Sequence, residues 1–105
     1  MTNQFKKKVI DIKKFIDYQE NSIVSKVFAE KENTSLTLFA FDKDQVIATH
    51  TAPVDAVVQI LEGSLKITIS DENFALKEGE IIIMPKNEPH GLKAITTTKM
   101  LLFKV

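Results

Sequence analysis

One stretch sets the architecture of this chain: Gly79-Glu-Ile-Ile-Ile-Met-Pro-Lys-Asn-Glu-Pro-His90. It starts at a turn glycine, continues through an almost wholly apolar run from Glu80 to Met84, and ends in a turn that contains Pro and Asn. Short apolar runs between such turns are typical of buried strands. The stretch therefore predicts a strand that is buried on both faces, inside a sandwich or at a subunit interface.

The same alternation of short strands and turns continues on both sides of this stretch. Leu65, Ile67 and Ile69 alternate with polar residues, which predicts a strand with one solvated face. The spacing of the turns, about every 6–12 residues, predicts an all-β sandwich or barrel of about nine strands. The predicted strands are Ile23–Phe28, Ser35–Phe41, Gln45–His50, Ala56–Leu61, Leu65–Ser70, Phe74–Leu76, Glu80–Met84, His90–Ile95 and Met100–Val105.

The first 22 residues have a different pattern and form a predicted N-terminal arm. Val9, Ile12 and Ile16 recur at spacings of three and four, with lysines between them. This spacing predicts a short amphipathic helix that lies on the barrel or on a partner chain. We expect one domain over residues 1–105, with the arm at 1–22 and the barrel at 23–105.

Composition excludes several classes of function. The 105 residues contain 14 Lys plus Arg and 14 Asp plus Glu, so the net charge is zero, which argues against a nucleic-acid partner. The absence of cysteine excludes disulfides, thiolate ligands and thiol nucleophiles. The chain has neither an apolar run of about 20 residues nor a signal-like run after its basic start, so we expect a cytoplasmic protein without a membrane partner.

Zero net charge also leaves little repulsion between two copies of the chain. The predicted strand Leu36–Phe41 is apolar on both faces, and such a strand is expected either in a core or at a subunit interface. The two observations together predict a homodimer.

A second stretch contains candidate functional residues, from a histidine at its start to a turn glycine at its end: His50-Thr-Ala-Pro-Val-Asp-Ala-Val-Val-Gln-Ile-Leu-Glu-Gly63. Together the two stretches resemble the paired motifs of the cupin superfamily, the second more closely than the first. The second motif is matched by Gly79, Pro85 and His90. Asn87 replaces its internal glycine, a change that the backbone tolerates because Asn adopts left-handed conformations. The resemblance implies a jelly-roll barrel, also called a double-stranded β-helix, to which the arm adds its short helix.

The resemblance also implies a site. In metal-binding cupins, two histidines and a glutamate of the first motif and one histidine of the second hold a metal ion. His50 and His90 match, whereas Ala52 stands at the position of the second histidine and Ala56 at that of the glutamate. No cofactor is firmly implied, because two imidazoles alone are a poor metal site. The cofactor that the resemblance leaves open is a divalent transition metal with His50 and His90 as ligands. All four residues are predicted to line one interior ligand pocket.

Three polar residues lie near the predicted pocket in the sequence. Asp55 is predicted to point away from the pocket, and Glu88 lies in a turn from which it can reach inward. Gln59 has the opposite parity from Ala56, so we expect it at a subunit interface or bonded to backbone. The chain has no Gly-x-Ser-x-Gly motif and no phosphate-binding loop, and no catalytic residue is assigned.

Three functions follow, and the first is favoured. The chain binds a small molecule in its cavity without a strongly held metal, or it is a structural or partner-binding homodimer with a vestigial site. The third alternative is a metal-dependent cupin enzyme of the dioxygenase, isomerase or epimerase type. In the structural alternative, the two histidines bond only to each other, to water or to backbone.

Overall fold

The computed structural model describes residues 4–105, and these residues form nine β-strands and no helix. The strands are β1 (Ile23–Lys31), β2 (Thr34–Phe41), β3 (Val46–His50), β4 (Ala56–Glu62), β5 (Ser64–Ile69), β6 (Glu72–Lys77), β7 (Ile81–Met84), β8 (His90–Ala94) and β9 (Thr98–Lys104). They make a five-stranded sheet, β1-β2-β9-β4-β7, and a four-stranded sheet, β3-β8-β5-β6, with antiparallel pairs throughout. The predicted all-β jelly-roll barrel is confirmed. Nothing in the part of the chain described here is a helix that could cross a membrane.

Alternating side chains of the two sheets form the main core. In β5, Leu65 and Ile67 are fully buried, whereas Lys66 between them is exposed, as the alternation predicts. The inward side chains of β4, β8 and β9 meet them from the other strands, because every second residue of a strand faces the same side. The buried residues of this core are Phe41, Ala56, Val58, Ile60, Leu65, Ile67, Ile69, Leu76, Met84, Leu92, Ala94 and Met100.

The N-terminal arm covers part of the outer face of the five-stranded sheet. Ile16 is buried there against Leu38 and Ala40, in a second core that is separate from the one between the sheets. Tyr18 donates a hydrogen bond from its hydroxyl to the Glu62 carboxylate at 2.6 Å. Burial, and then the bond and charge of that carboxylate, raise the pKa of Tyr18 well above its usual range.

The prediction of a helix in the arm is wrong, because side chains from the sheet occupy the backbone carbonyls that a helix needs. Lys26 donates to the Phe15 carbonyl at 2.6 Å, and Lys99 donates to the Lys13 carbonyl. In a helix these two oxygens would accept from amides four residues further on. The arm instead makes isolated turns, and Val9, which the helical pattern placed on the buried face, is fully exposed.

Gly63, between β4 and β5, makes the closest backbone approach among the three glycines. Its φ is +90°, and a Cβ built there would lie 2.2 Å from the Thr97 carbonyl oxygen and 2.7 Å from the Thr98 hydroxyl. The Thr98 hydroxyl is fully buried and donates to the Ser64 carbonyl, so it has little room to move. Gly79, between β6 and β7, has a similar φ of +86° but no atom within 4 Å of such a Cβ.

The two glycines form a matched pair for a stability test. We expect Gly79→Ala to lower the free energy of unfolding by about 1–2 kcal/mol, the cost of a positive φ for an L-residue. Gly63→Ala adds a collision with backbone to the same strain, and we expect it to cost several kcal/mol more. Urea unfolding of both variants measures the difference. Equal losses would contradict the role assigned to the contact with Thr97.

Candidate functional site

A β-bulge in β3 brings His50 to the interior side of the four-stranded sheet. Ile47 pairs with Leu92 and His50 pairs with His90, so β3 advances three residues while β8 advances two. Ile47 and Leu92 both contact the main core, which identifies their face as the inner one. In a regular strand His50 would have the opposite parity from Ile47 and would point outward. Bulges change the direction of a side chain in this way.

The two imidazoles pack against each other at the end of the barrel. Their ring centroids are 4.4 Å apart and the rings are inclined at 68°, an edge-to-face arrangement. His90 exposes only 3% of its surface, because Leu92 and Ala94 follow it on the inner face of β8. His50 is exposed at the rim of the site. The predicted meeting of His50 and His90 is therefore present in the structure.

Each histidine uses its Nδ1 atom to hold its ring in place. The Nδ1 of His50 lies 2.9 Å from the Ala48 carbonyl oxygen, and the Nδ1 of His90 lies 3.1 Å from the Glu88 carbonyl oxygen. A carbonyl oxygen can only accept, so we assign the donated proton to Nδ1 in both rings. This leaves the Nε2 atom of each ring as a hydrogen-bond acceptor for another molecule while the ring is neutral.

The surroundings of His90 favour its neutral form. Burial lowers the pKa of His90, and the charges of His50 and Lys104 lower it further. The hydrogen bond from Nδ1 to the Glu88 carbonyl acts in the opposite direction but does not reverse the shift. The ring is accordingly neutral at pH 7, and its Nε2 atom carries a lone pair.

The two alanines of the predicted pocket are both buried. Ala56 is 1% exposed, belongs to the main core and pairs with Met84 in β7 and Lys104 in β9. Ala52 is 8% exposed, and its carbonyl accepts a hydrogen bond of 2.8 Å from the amide of Asn87. Asn87 has a φ of +66°, so it does adopt the left-handed conformation expected where the family motif has glycine.

The nearby carboxylates are engaged away from the histidines. Asp55 accepts a hydrogen bond from the Lys86 amide at 2.9 Å, in agreement with its predicted outward direction. The side chain of Glu88 accepts from the Ser70 hydroxyl at 3.2 Å, and only its backbone carbonyl contacts His90. Within residues 4–105 no three His, Asp or Glu side chains are grouped so that they could hold a metal ion.

Lys104 is a residue of this region that the sequence analysis missed. It pairs with both Ala56 and Ser35, and it shares the inner face of β9 with Leu102 and the buried Met100. The signal was present in the sequence, because the alternation from Met100 through Leu102 places Lys104 on that face. With Ala52 and Ser35, it lines a cavity of about 210 Å³ that also contacts the β1–β2 turn.

Comparisons with known proteins agree with this fold. A family model described as the cupin domain matches residues 37–105. The chain is 35% identical to a conserved protein of unknown function from Streptococcus pyogenes, with a TM-score of 0.93 over 99% of this chain and 91% of that one. A cupin 2 conserved barrel domain protein from Leptotrichia buccalis is 37% identical, with a TM-score of 0.83 over 86% of this chain and 44% of that one.

A cupin superfamily protein from Desulfitobacterium hafniense shares the fold. Its TM-score is 0.90 over 99% of this chain and 95% of that one, at 21% identity. No curated protein matches this chain.

The lowered pKa of His90 makes folding stability depend on pH. Because the unfolded chain binds a proton near pH 6.5 and the folded chain does so only at lower pH, the free energy of unfolding should fall as pH falls from about 7.5 to about 5.5. His90→Gln should lose this part of the slope. Proton NMR of the two histidines and urea unfolding across this range measure both effects. Titration of folded His90 at or above 6.5 would contradict the assignment.

Proposed function

The chain belongs to the cupin family, and from that premise we propose that it binds a small molecule at the end of its barrel, with His50 and His90 as the polar groups of the site. The observation that carries the proposal is the pair of imidazoles 4.4 Å apart, each held by Nδ1 and neither using Nε2 in a hydrogen bond to residues 4–105. The interior behind them is apolar, and ligand sites commonly combine such a lining with a few oriented polar groups.

The two rings lie at different depths in the barrel end, and this arrangement favours ligand binding. His90 is almost fully buried, so a hydrogen bond to its Nε2 is made away from bulk water and contributes more to affinity. His50 stands at the rim and completes the site from the solvent side. Their backbone hydrogen bonds fix both rings before a ligand arrives, which reduces the entropy that binding must remove.

The metal-dependent alternatives, a dioxygenase, isomerase or epimerase, have less support from the donor set. Two imidazoles remain where functional sites commonly use three protein ligands or two histidines with a carboxylate. Ala52 and Ala56 provide no donor, and the ammonium of Lys104 disfavours a cation near His90. These residues do not fit a divalent metal centre, and no reaction step is assigned to one.

The function can be tested with the native histidines as reporters, because the chain has only two. In a screen of mixed neutral, acidic and basic fragments, we expect at least one compound to shift the Hε1 signals of both histidines. His50→Ala and His90→Ala should each weaken its binding about tenfold, the effect of one lost hydrogen bond.

Lys66→Ala is the control for that screen, because Lys66 lies on the outer face of the same sheet. It should bind the fragment as the parent chain does. Failure of every fragment to affect the folded protein, or undiminished binding by both histidine variants, would refute the proposed function.

We also propose that two copies of the chain pair through an apolar surface on β4, β7 and β9. Ile81 and Ile83 are 63% and 59% exposed, and Phe103 is 39% exposed. The registers align Phe103, Val57 and Ile83 in one row across the three strands, on the outer face of the five-stranded sheet. Gln59 lies between Leu101 and Ile81 in the next row, so its expected place at a subunit interface stays a prediction.

This surface differs from the one that the sequence analysis indicated. The apolar strand Leu36–Phe41 was the expected interface, but Ile16 of the arm covers the outer face of this strand at Leu38 and Ala40. The row at β7 is exposed instead, and β7 is the edge strand of its sheet. A second copy is the partner proposed, because the zero net charge gives two identical surfaces little reason to repel each other.

Sedimentation of the whole chain at micromolar concentrations should give the mass of a dimer. Ile83→Lys places two charges in the proposed interface and should raise the dissociation constant at least about a hundredfold. Thr68→Lys adds the same charge on the outer face of the four-stranded sheet and should leave the dimer intact. A monomeric parent chain, or equal effects of the two variants, would refute this interface.

A further inference from the structure

We propose that the ligand of this site is a small hydroxy carboxylate, with Lys104 as the residue that binds its carboxylate and the two imidazoles as acceptors for its hydroxyl groups. The inference rests on the proposed function, because it assigns a chemical class to the ligand of the same site. Three observations support it: the position of Lys104, the sign of the charges on the inner face, and the hydrogen bonds that occupy the Nδ1 atom of each histidine.

The register determines where Lys104 lies. It pairs with Ala56 of β4 on one side and Ser35 of β2 on the other, at the end of the barrel. Ala56 occupies the position at which metal-binding cupins have a glutamate, and its methyl group can neither coordinate a metal ion nor form a hydrogen bond. The charged residue beside that position is therefore a lysine on the neighbouring strand.

Metal-binding cupins have a negative glutamate at this place, whereas here the charged group beside it on β9 is the positive ammonium of Lys104. The Asp55 and Glu88 carboxylates bond to Lys86 and Ser70 and are not directed to the imidazoles. Among residues 4–105, Lys104 forms no ion pair with a carboxylate, so its ammonium is available. An available ammonium in a half-buried position favours a carboxylate or another oxyanion.

One carboxylate does lie in the same row of the sheet. Glu30 pairs with Ser35, which in turn pairs with Lys104. Two strand spacings, or about 9–10 Å, separate their backbones. Glu30 is also exposed to solvent, where its interaction with the ammonium is weakened by screening.

Lys104 lies close enough to His90 for its charge to act on that ring. Its charge is among the causes that lower the pKa of His90, after burial and together with His50. The cavity of about 210 Å³ lined by Lys104, Ser35 and Ala52 has room for a few heavy atoms beside the ammonium, and Lys31 and Glu30 add one charge of each sign at its outer side. Neither imidazole lines this cavity, but Ala52, two residues after His50, does, and it connects the cavity to the histidine pair.

The histidines define the second half of the ligand. Both Nδ1 atoms are occupied by backbone carbonyls, so a neutral ring offers only the lone pair of Nε2. A lone pair repels a bare carboxylate and accepts a hydrogen bond from a hydroxyl. A molecule with a carboxylate for Lys104 and a neighbouring hydroxyl for an imidazole satisfies both requirements.

Three small probes of nearly equal size distinguish the contribution of the carboxylate from that of the hydroxyl. Glycolate has both groups, acetate lacks the hydroxyl, and glycolamide lacks the charge. At pH 7.5 and constant ionic strength, we expect glycolate to shift the Hε1 signals of His50 and His90 with an affinity about tenfold higher than either of the others. Inorganic phosphate, measured in parallel, distinguishes a site for any oxyanion from one for a hydroxy acid, and should bind more weakly than glycolate.

Substitutions at Lys104 assign the effect to one residue. Lys104→Met should remove the preference for glycolate over glycolamide, and Lys104→Arg should retain it. Lys93→Met is the matched control, because Lys93 is an exposed lysine on the outer face of β8, the strand of His90. It removes the same unit of charge and should leave the preference unchanged.

The outcomes separate this inference from the proposed function. Equal affinity for glycolate and glycolamide, tighter binding of phosphate than of glycolate, or full retention of the preference in Lys104→Met would overturn the hydroxy carboxylate. If neutral fragments still shift both histidines in that case, the proposed small-molecule site stands with a different ligand. If Lys104→Met does not fold, the Lys104→Arg variant and the probe series decide by the same criteria.

Discussion

The register between β3 and β8 is the constraint on which the site depends. One extra residue in β3 turns His50 from the solvent side of the sheet to the same side as His90. The core between the sheets is formed by Leu65, Ile67 and their neighbours, and His50 is not part of it. The fold and the site are thus separable: core packing supports the first, and a local irregularity in one edge strand creates the second.

Much of the fold was predictable from the sequence, because alternation and turn chemistry are local signals. Leu65, Lys66 and Ile67 show this, since their burial follows the alternation residue by residue. The bulge was not predictable, since nothing in Ala48 or Thr49 reveals how the chain pairs with β8. His50 was expected on the inner face because of family resemblance, and the structure supplies the physical means by which it gets there.

The arm shows the opposite case, in which a helical sequence pattern does not form a helix because residues distant in sequence bond to its backbone. The spacing of Ile12 and Ile16 is helical, but Lys99 reaches the Lys13 carbonyl from 86 residues further along the chain. Lys104 was overlooked because lysine is usually exposed at a strand end, although its parity with Met100 indicated the interior. Neither case could be decided without knowing which strands are neighbours in space.

The place of β9 has a consequence for how the chain reaches this structure during synthesis. It follows the other eight described strands in sequence, yet it lies between β2 and β4 in the middle of the five-stranded sheet. Until β9 leaves the ribosome, β2 and β4 each have an unpaired inner edge, and Lys99 is not yet available to the arm. The nascent chain therefore exposes the edges of two apolar strands until residues 98–104 have been synthesised, and during that interval they can pair wrongly or aggregate.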